Sequence, residues 1–352
     1  MNTAEQVDSI RKIAWALSVA SAENKLDTPG EFVWAYPKNN QFWEIRSRAR
    51  SIFSSGNAIK DQQVIDFVQS VNCTKYLKDP WTVARFEEQF PHWIKAGSRY
   101  NLQNFDLFKF GNFSQGTQES FLNFYIMNKD RRLRVFKGDY WWHMEIWTRA
   151  GFNWAYLEDD DIRPGDACIC SYPFALTGEK HEKFNWMLDE CDRVGAKCLI
   201  DFIYLPNSNG VVDLDLARPC IEEITFSLSK TFPIQTAKLA IRLLKSKPHD
   251  PMQMSNDENI GNRLSAGLAL ELINQFPVDY MVTKYSAAQN YWCNRLGLEK
   301  TNVVHFALGP DYTNYGRETN LNWCSPFNEQ QNRYNLGMLY ENENLLKKLQ
   351  LY

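Results

Sequence analysis

The segment Ile224–Leu244, "ITFSLSKTFPIQTAKLAIRLL", places one lysine, Lys230, between two apolar runs. Hydroxyl side chains surround it: Ser227, Ser229 and Thr231. Each flanking run is short and bounded by turn residues, the pattern of a strand buried on both faces. A lysine is ordinarily a solvated side chain. An amine at the end of a buried strand therefore calls for a partner, and the preceding strand supplies one. In "CLIDFIYLP", residues 198–206, Asp201 interrupts an otherwise apolar run, and Tyr204 follows toward the end of the same strand. A buried carboxylate is costly unless paired.

The surrounding pattern says what kind of sheet carries this pair. From about residue 105, short strands alternate with amphipathic helices. "SQGTQESFLNFYIMNK" reads as a glycine turn running into a helix, "RLRVFKGDY" as a strand and turn, and "YWWHMEIWTRAG" as a helix stopped by glycine. "DACICSYPF" reads as a strand, "HEKFNWMLDECDRVGA" as a helix, and "KCLIDFIYL", "EEITFSLSK" and "KLAIRLL" as further strands. The expected class is α/β: a three-layer large domain on a mostly parallel sheet, with a smaller α+β domain drawn from the two chain ends. Helices are expected over 57–72, 81–96, 257–276 and 278–297. Expected boundaries are an N-terminal helical segment at 1–60 that joins the small domain, a large domain at 61–255, and long helices with the small C-terminal domain at 256–352. Sheets of this kind bind ligands beyond the carboxyl ends of their strands. Asp201 and Lys230, at the ends of adjacent strands, can then face one pocket. A desolvated lysine has a lowered pKa and can form a Schiff base with an aldehyde. A buried aspartate can hold a protonated pyridine nitrogen.

Composition removes other classes. Apolar residues make up 44% of the 352-residue chain, enough for a sizeable core. Lys and Arg number 39 against 42 Asp and Glu, so the net charge of −3 offers no basic surface for nucleic acid. No apolar run approaches the roughly 18 residues of a membrane span. The N-terminal 24 residues carry charges inside their apolar pattern and read as an amphipathic helix, not a signal peptide. The eight cysteines form no C-x-x-C pair and read as reduced thiols filling the core of a cytoplasmic protein.

"DFIY" followed by "SLSK" resembles the aspartate and lysine motifs of the fold-type I pyridoxal-phosphate enzymes, the aspartate aminotransferase superfamily. The resemblance runs from about 105 to 245, with an echo near the C-terminus. It implies pyridoxal 5′-phosphate as cofactor, with Lys230 as Schiff-base lysine and proton shuttle, Asp201 beneath the pyridine nitrogen and Tyr204 at the phenolic oxygen. It implies a phosphate site at "SQGTQES", through Gly116, Thr117 and Gln118 at a helix N-terminus. Tyr140 in "FKGDYWWH" stands where the family stacks an aromatic ring on the pyridine, although Trp141 and Trp142 leave that choice open. "SYPFALTG" keeps Pro173, Thr177 and Gly178 of the family's next segment, but Ala175 replaces a ring-contacting asparagine. After the lysine, Lys238 stands in "TAKLAIRLL" where the family has a phosphate-binding arginine. Arg242 lies too far along the strand to substitute, and Ser227 matches a phosphate-binding serine. "NRYNLGM" is similar to the family's C-terminal arginine strand, which implies that Arg333 grips the substrate α-carboxylate. Tyr76 in "KYLKDPW" falls where a family tyrosine reaches the neighbouring subunit's phosphate.

What the resemblance implies is an aminotransferase acting on an α-amino acid, with a keto-acid acceptor, as a cytoplasmic homodimer without nucleic-acid or membrane partners. A lyase, decarboxylase or specialised biosynthetic enzyme on the same fold is the alternative. A degenerate, non-catalytic member is a third reading, motivated by Ala175 and Lys238. The segment "GEFVWAYPKNNQFWE", residues 30–44, is a further candidate for lining the site.

Overall fold

A computed structural model describes residues 3–22, 52–53, 56–210, 212–310 and 332–351. The segment 30–44 and Cys324 lie outside the described residues. The helices are α1 (Thr3–Ala22), α2 (Gln62–Ser70), α3 (Thr82–Lys95), α4 (Thr117–Met127), α5 (Trp142–Ala150), α6 (Phe184–Val194), α7 (Pro251–Asp257), α8 (Arg263–Gln275), α9 (Tyr280–Leu296), α10 (Gly337–Glu341) and α11 (Glu343–Lys348). The strands are β1 (Asn101–Gln103), β2 (Phe110–Gln115), β3 (Arg132–Val135), β4 (Trp154–Tyr156), β5 (Asp166–Ser171), β6 (Lys197–Asp201), β7 (Asp213–Asp215), β8 (Ile221–Ser227), β9 (Leu239–Leu244), β10 (Glu299–Lys300), β11 (Phe306–Gly309) and β12 (Asn332–Asn335).

Seven strands form the central sheet in the order β2-β9-β8-β6-β5-β3-β4. Pairings from β8 to β4 are parallel, whereas β9 runs antiparallel to both β8 and β2. The apolar alternation of β5 and β6 explains the layering. Cys168, Cys170, Cys198 and Ile200 face one core with α3, α6 and α8, whereas Ala167, Ile169 and Leu199 face the other with α4 and α5. Every residue of β5 is buried, as a strand covered on both faces requires.

A three-stranded antiparallel sheet, β10-β11-β12, forms a second unit. Its core joins Ile10, Ile13 and Leu17 of α1 to Trp292 and Leu296 of α9 and to Tyr334, Leu336 and Leu346. The smaller unit is thus built from both chain ends. By contrast, α8 packs into the core of the central sheet through Ala266, Ala269 and Leu272.

Some boundaries differ from the sequence expectations for identifiable reasons. The helix expected from 57 starts at Gln62, because the Asp61 carboxylate caps it by accepting from Val64 N at 3.0 Å. The helix expected from 257 starts at Arg263, where Asn262 caps by accepting from Ser265 N at 3.1 Å. The strand expected to run through Tyr204 ends at Asp201. Phe202 N makes a last bond to Thr225 O at 2.8 Å, and the chain then turns through Leu205 N to Phe202 O at 3.0 Å. Among the described residues, no helix is long and apolar enough to cross a membrane.

Candidate active site

Three adjacent parallel strands, β5, β6 and β8, end at Ser171, Asp201 and Ser227, and the loops leaving them build one site. Asp201 is 2% exposed, and the Thr225 hydroxyl donates to its Oδ1 at 2.9 Å. Burial pushes its carboxyl up to about 8, against the Thr225 hydrogen bond and with the nearby Asp139 charge adding to the rise. Lys230 follows the end of β8 in a turn held by its hydroxyl neighbours. Ser229 N donates to Ser227 Oγ at 3.1 Å, and Leu239 N donates to Ser229 Oγ at 3.0 Å. Desolvation draws the Lys230 amine down to about 8, helped by the Arg333 and Lys238 cations and opposed by Asp201.

The turn after β6 brings Tyr204 back over the strand ends. Its phenol is buried, which raises its pKa, while Arg333 opposes that rise as charge and hydrogen-bond donor. Arg333 arrives from β12 in the smaller sheet. Its guanidinium stacks on Phe306, 4.4 Å from the ring centroid, and donates to the Ala175 carbonyl. Gly56 marks where these groups meet. A Cβ on it would lie 3.1 Å from Tyr204 Oη, 3.6 Å from an Arg333 guanidinium nitrogen and 3.7 Å from Lys230 Nζ. Amine, phenol and guanidinium therefore surround one point that a side chain on residue 56 would crowd.

A second cluster forms where the sheet meets α4. The ladder pairs Gln115 with Leu239 and Ala240 with Ser227, which sets Gly116, Lys238 and Ser227 side by side. Gly116 caps α4 at φ 88, a conformation that suits glycine, and supplies no side chain to the first-turn N–H groups. The Lys238 Cδ lies 3.5 Å from where a Gly116 Cβ would be. A helix N-terminus, a lysine and a buried serine form a cradle suited to a phosphate. Thr117 is buried in the first turn, and Gln118 Nε2 donates to Tyr140 Oη at 3.0 Å. Arg242 is held away, with Nε donating to Asn112 at 2.9 Å and a terminal nitrogen to Asp250 at 2.6 Å.

Tyr140 is placed by a neighbour that sequence reasoning passed over. The buried Asp139 carboxylate accepts from Ser171 N at 2.8 Å, Ser171 Oγ at 2.7 Å and Tyr140 N at 2.8 Å, fastening this loop to the end of β5. Asn207 was also missed: its Nδ2 donates to the Lys230 carbonyl at 2.7 Å. So was His305, whose fully buried ring stands edge-on to Tyr204 at 5.9 Å and has no hydrogen-bond partner at either nitrogen among the described residues. Burial and the Arg333 and Lys230 charges hold it neutral, drawn down to about 3. A histidine in "NVVHFALG" was the visible signal, but nothing local tied it to residues 100 positions earlier.

Tyr76 is not gathered with these groups. Its ring packs on Gly267 of α8, and its hydroxyl is bonded to Glu271.

No family model matches the sequence, and no curated protein matches it. Solved structures do match the fold. The chain is similar to a C-S lyase from Staphylococcus hominis, solved with pyridoxal phosphate bound, with a TM-score of 0.61 and 14% identity over 92% of this chain and 98% of that one. It is similar to an aspartate aminotransferase from Thermotoga maritima, with a TM-score of 0.59 and 12% identity over 85% and 92%. It is also similar to an L-threonine-O-3-phosphate decarboxylase from Porphyromonas gingivalis, with a TM-score of 0.56 and 11% identity over 84% and 99%. The central sheet, the smaller sheet and these matches together establish the fold: the chain has the α/β architecture that these three solved structures share.

Proposed function

We propose that the protein is a pyridoxal-phosphate-dependent aminotransferase that acts on an α-amino acid, with a keto acid as acceptor and a homodimer as its working form. One observation carries the reading: the Lys230 amine, Tyr204 hydroxyl and Arg333 guanidinium surround one point, with the buried Asp201 on the adjoining strand.

The residues fit the cofactor. The Gly116 helix start, Ser227 and Lys238 supply N–H, hydroxyl and cationic groups for its phosphate. Asp201, whose carboxyl is pushed up to about 8 by burial, is the acid that a protonated ring nitrogen would return to its anionic form. Tyr140 would offer its ring to the pyridine, and Tyr204 its hydroxyl to the phenolic oxygen. When bound, pyridoxal phosphate supplies the electron sink that loosens a bond at the amino-acid Cα.

Lys230 then moves the Cα proton. An amine titrating near 8 gives and takes a proton near neutral pH, as a general acid–base group must. Arg333, fixed by Phe306 and the Ala175 carbonyl, holds the substrate carboxylate in a set orientation. A held carboxylate favours an outcome in which that group stays on the product, hence transamination over decarboxylation.

The test has two stages. Protein supplied with pyridoxal phosphate is reduced with borohydride and mapped by peptide mass, and the label is expected on Lys230. Amino acids are then offered with and without a keto acid. Keto-acid product formed only with an acceptor, without ammonia, is expected. Ammonia or carbon dioxide released without acceptor would assign a lyase or decarboxylase, and absence of label would favour a non-catalytic member.

A further inference from the structure

We infer, resting on the roles proposed for Tyr140 and Arg333, that Asp139 and Ser171 are a positioning pair that holds the Tyr140 ring and the Arg333 guanidinium in one register. The ring against the cofactor and the grip on the substrate carboxylate are thereby set together. A line of hydrogen bonds joins the two. The Asp139 carboxylate accepts from Tyr140 N at 2.8 Å and from Ser171 Oγ at 2.7 Å. Ser171 Oγ in turn accepts from Ala175 N at 2.8 Å, and the Ala175 carbonyl accepts from the Arg333 guanidinium. At its other end the line reaches the phosphate cradle, because Gln118 Nε2 in the first turn of α4 donates to Tyr140 Oη at 3.0 Å.

The residue types are the ones this line needs. Two backbone N–H groups meet different oxygens of Asp139: Tyr140 N meets Oδ1, and Ser171 N meets Oδ2 at 2.8 Å. A carboxylate accepts at both oxygens, whereas an amide would turn a donor toward one of them. The direction of the serine hydroxyl is fixed as well. Its single proton goes to the Asp139 carboxylate, and its lone pairs are left for the Ala175 N–H. Asp139 and Ser171 are both buried, so bulk water does not replace a lost partner.

The turn that carries Ala175 is also held without this pair. Phe174 N donates to Glu179 O at 2.7 Å, Gly178 N donates to Phe174 O at 2.8 Å, and the Glu179 carboxylate accepts from Asn302 N at 2.6 Å. Losing the Ser171 hydroxyl therefore shifts the Ala175 carbonyl without unfolding its turn. Arg333 keeps Phe306 beneath it but loses the fixed acceptor that orients its guanidinium. The two members of the pair are thus separable. Alanine at Ser171 cuts the line toward Arg333 and leaves Tyr140 N on Asp139, whereas an amide at Asp139 disturbs both arms. The amide also removes a charge that raises the Asp201 carboxyl, a change that by itself favours a protonated ring nitrogen. Weaker cofactor binding in that variant therefore reports lost positioning.

The test compares Ser171→Ala, Ser171→Thr and Asp139→Asn with the parent, each as the full chain. Dissociation constants for pyridoxal phosphate come from fluorescence titration of cofactor-free protein, and Lys230 labelling from borohydride reduction and peptide mass. KM and kcat are measured with whichever common amino acid the parent turns over fastest. Ser171→Ala should raise KM roughly tenfold with a smaller fall in kcat, and leave the pyridoxal-phosphate dissociation constant within about twofold. Ser171→Thr keeps the hydroxyl and should return KM to within about threefold of the parent. Asp139→Asn should raise KM and also weaken pyridoxal-phosphate binding roughly tenfold. If Asp139→Asn does not fold, the two serine variants decide. An unchanged KM in Ser171→Ala with Lys230 still labelled, or equal losses in Ser171→Ala and Ser171→Thr, would overturn the pair's role alone. A parent that takes no label at Lys230, or turns over no amino acid, would overturn the assignment of the site and the pair's role with it.

Discussion

Gly56 and Lys230 meet across the site: a Cβ on Gly56 would lie 3.7 Å from the lysine Nζ and closer still, at 3.1 Å, to Tyr204 Oη. A side chain at this position would crowd the amine and the phenol that share the space beside it. Gly56→Ala should displace the Tyr204 hydroxyl, which Arg333 also holds, and lower kcat/KM by roughly ten- to a hundredfold. Gly56→Val should do more. Unchanged kcat/KM in the valine variant would show that the space is not used.

Lys230 predicts a pH dependence. Its folded pKa, near 8, lies below the ordinary lysine value of 10.5. Between these values the unfolded chain binds the extra proton, so this group makes stability rise with pH over about 8 to 10.5, and its charge costs stability below 8. Lys230→Met keeps the stem and removes the charge. In protein stripped of pyridoxal phosphate, it should raise stability at pH 7 by about 1–2 kcal/mol, with the gain shrinking toward pH 10. Urea melts at both pH values read this directly. The same variant should take no borohydride label.

Lys238 should act on cofactor affinity and hardly on the chemistry that follows. Removing one charged contact to a phosphate costs about 1.5–3 kcal/mol, so Lys238→Ala should weaken pyridoxal-phosphate binding roughly 10- to 100-fold. Lys238→Arg should recover much of this. Fluorescence titration gives the dissociation constants, and an alanine variant binding as tightly as the parent would remove Lys238 from the cradle.

His305 buries two ring nitrogens without partners among the described residues, an arrangement that costs free energy. His305→Phe should therefore stabilise the protein by about 1 kcal/mol. If the ring also serves the substrate beside Tyr204, the variant's KM will rise while its Tm rises. A drop in Tm would mean that the imidazole has bonding partners in solution.

Much of the site was legible because its motifs are local. A hydroxyl-flanked lysine ending one apolar strand and an aspartate interrupting another stand on adjacent parallel strands, β8 and β6. Periodicity located most helices and strands, but it could not give strand direction. An apolar run reads the same in either sense, so antiparallel β9 was not separated from its parallel neighbours. Cap chemistry, not periodicity, moved the starts of α2 and α8.

The sequence by itself determined the class of sheet, the identities of the amine and the acid, and the glycine turn at the start of α4. Only the tertiary structure decided which distant residues share their space. Gly56 and Arg333 reach Lys230 from opposite ends of the chain because the smaller unit is assembled from both ends, and His305 stands against Tyr204. Asp139 became a support for Tyr140 only when its loop met the end of β5. Cys168, Cys191 and Cys198, which read singly as core filling, converged only when β5, β6 and α6 packed together. Local sequence sets propensity and burial, whereas convergence depends on chain crossings that no short window contains.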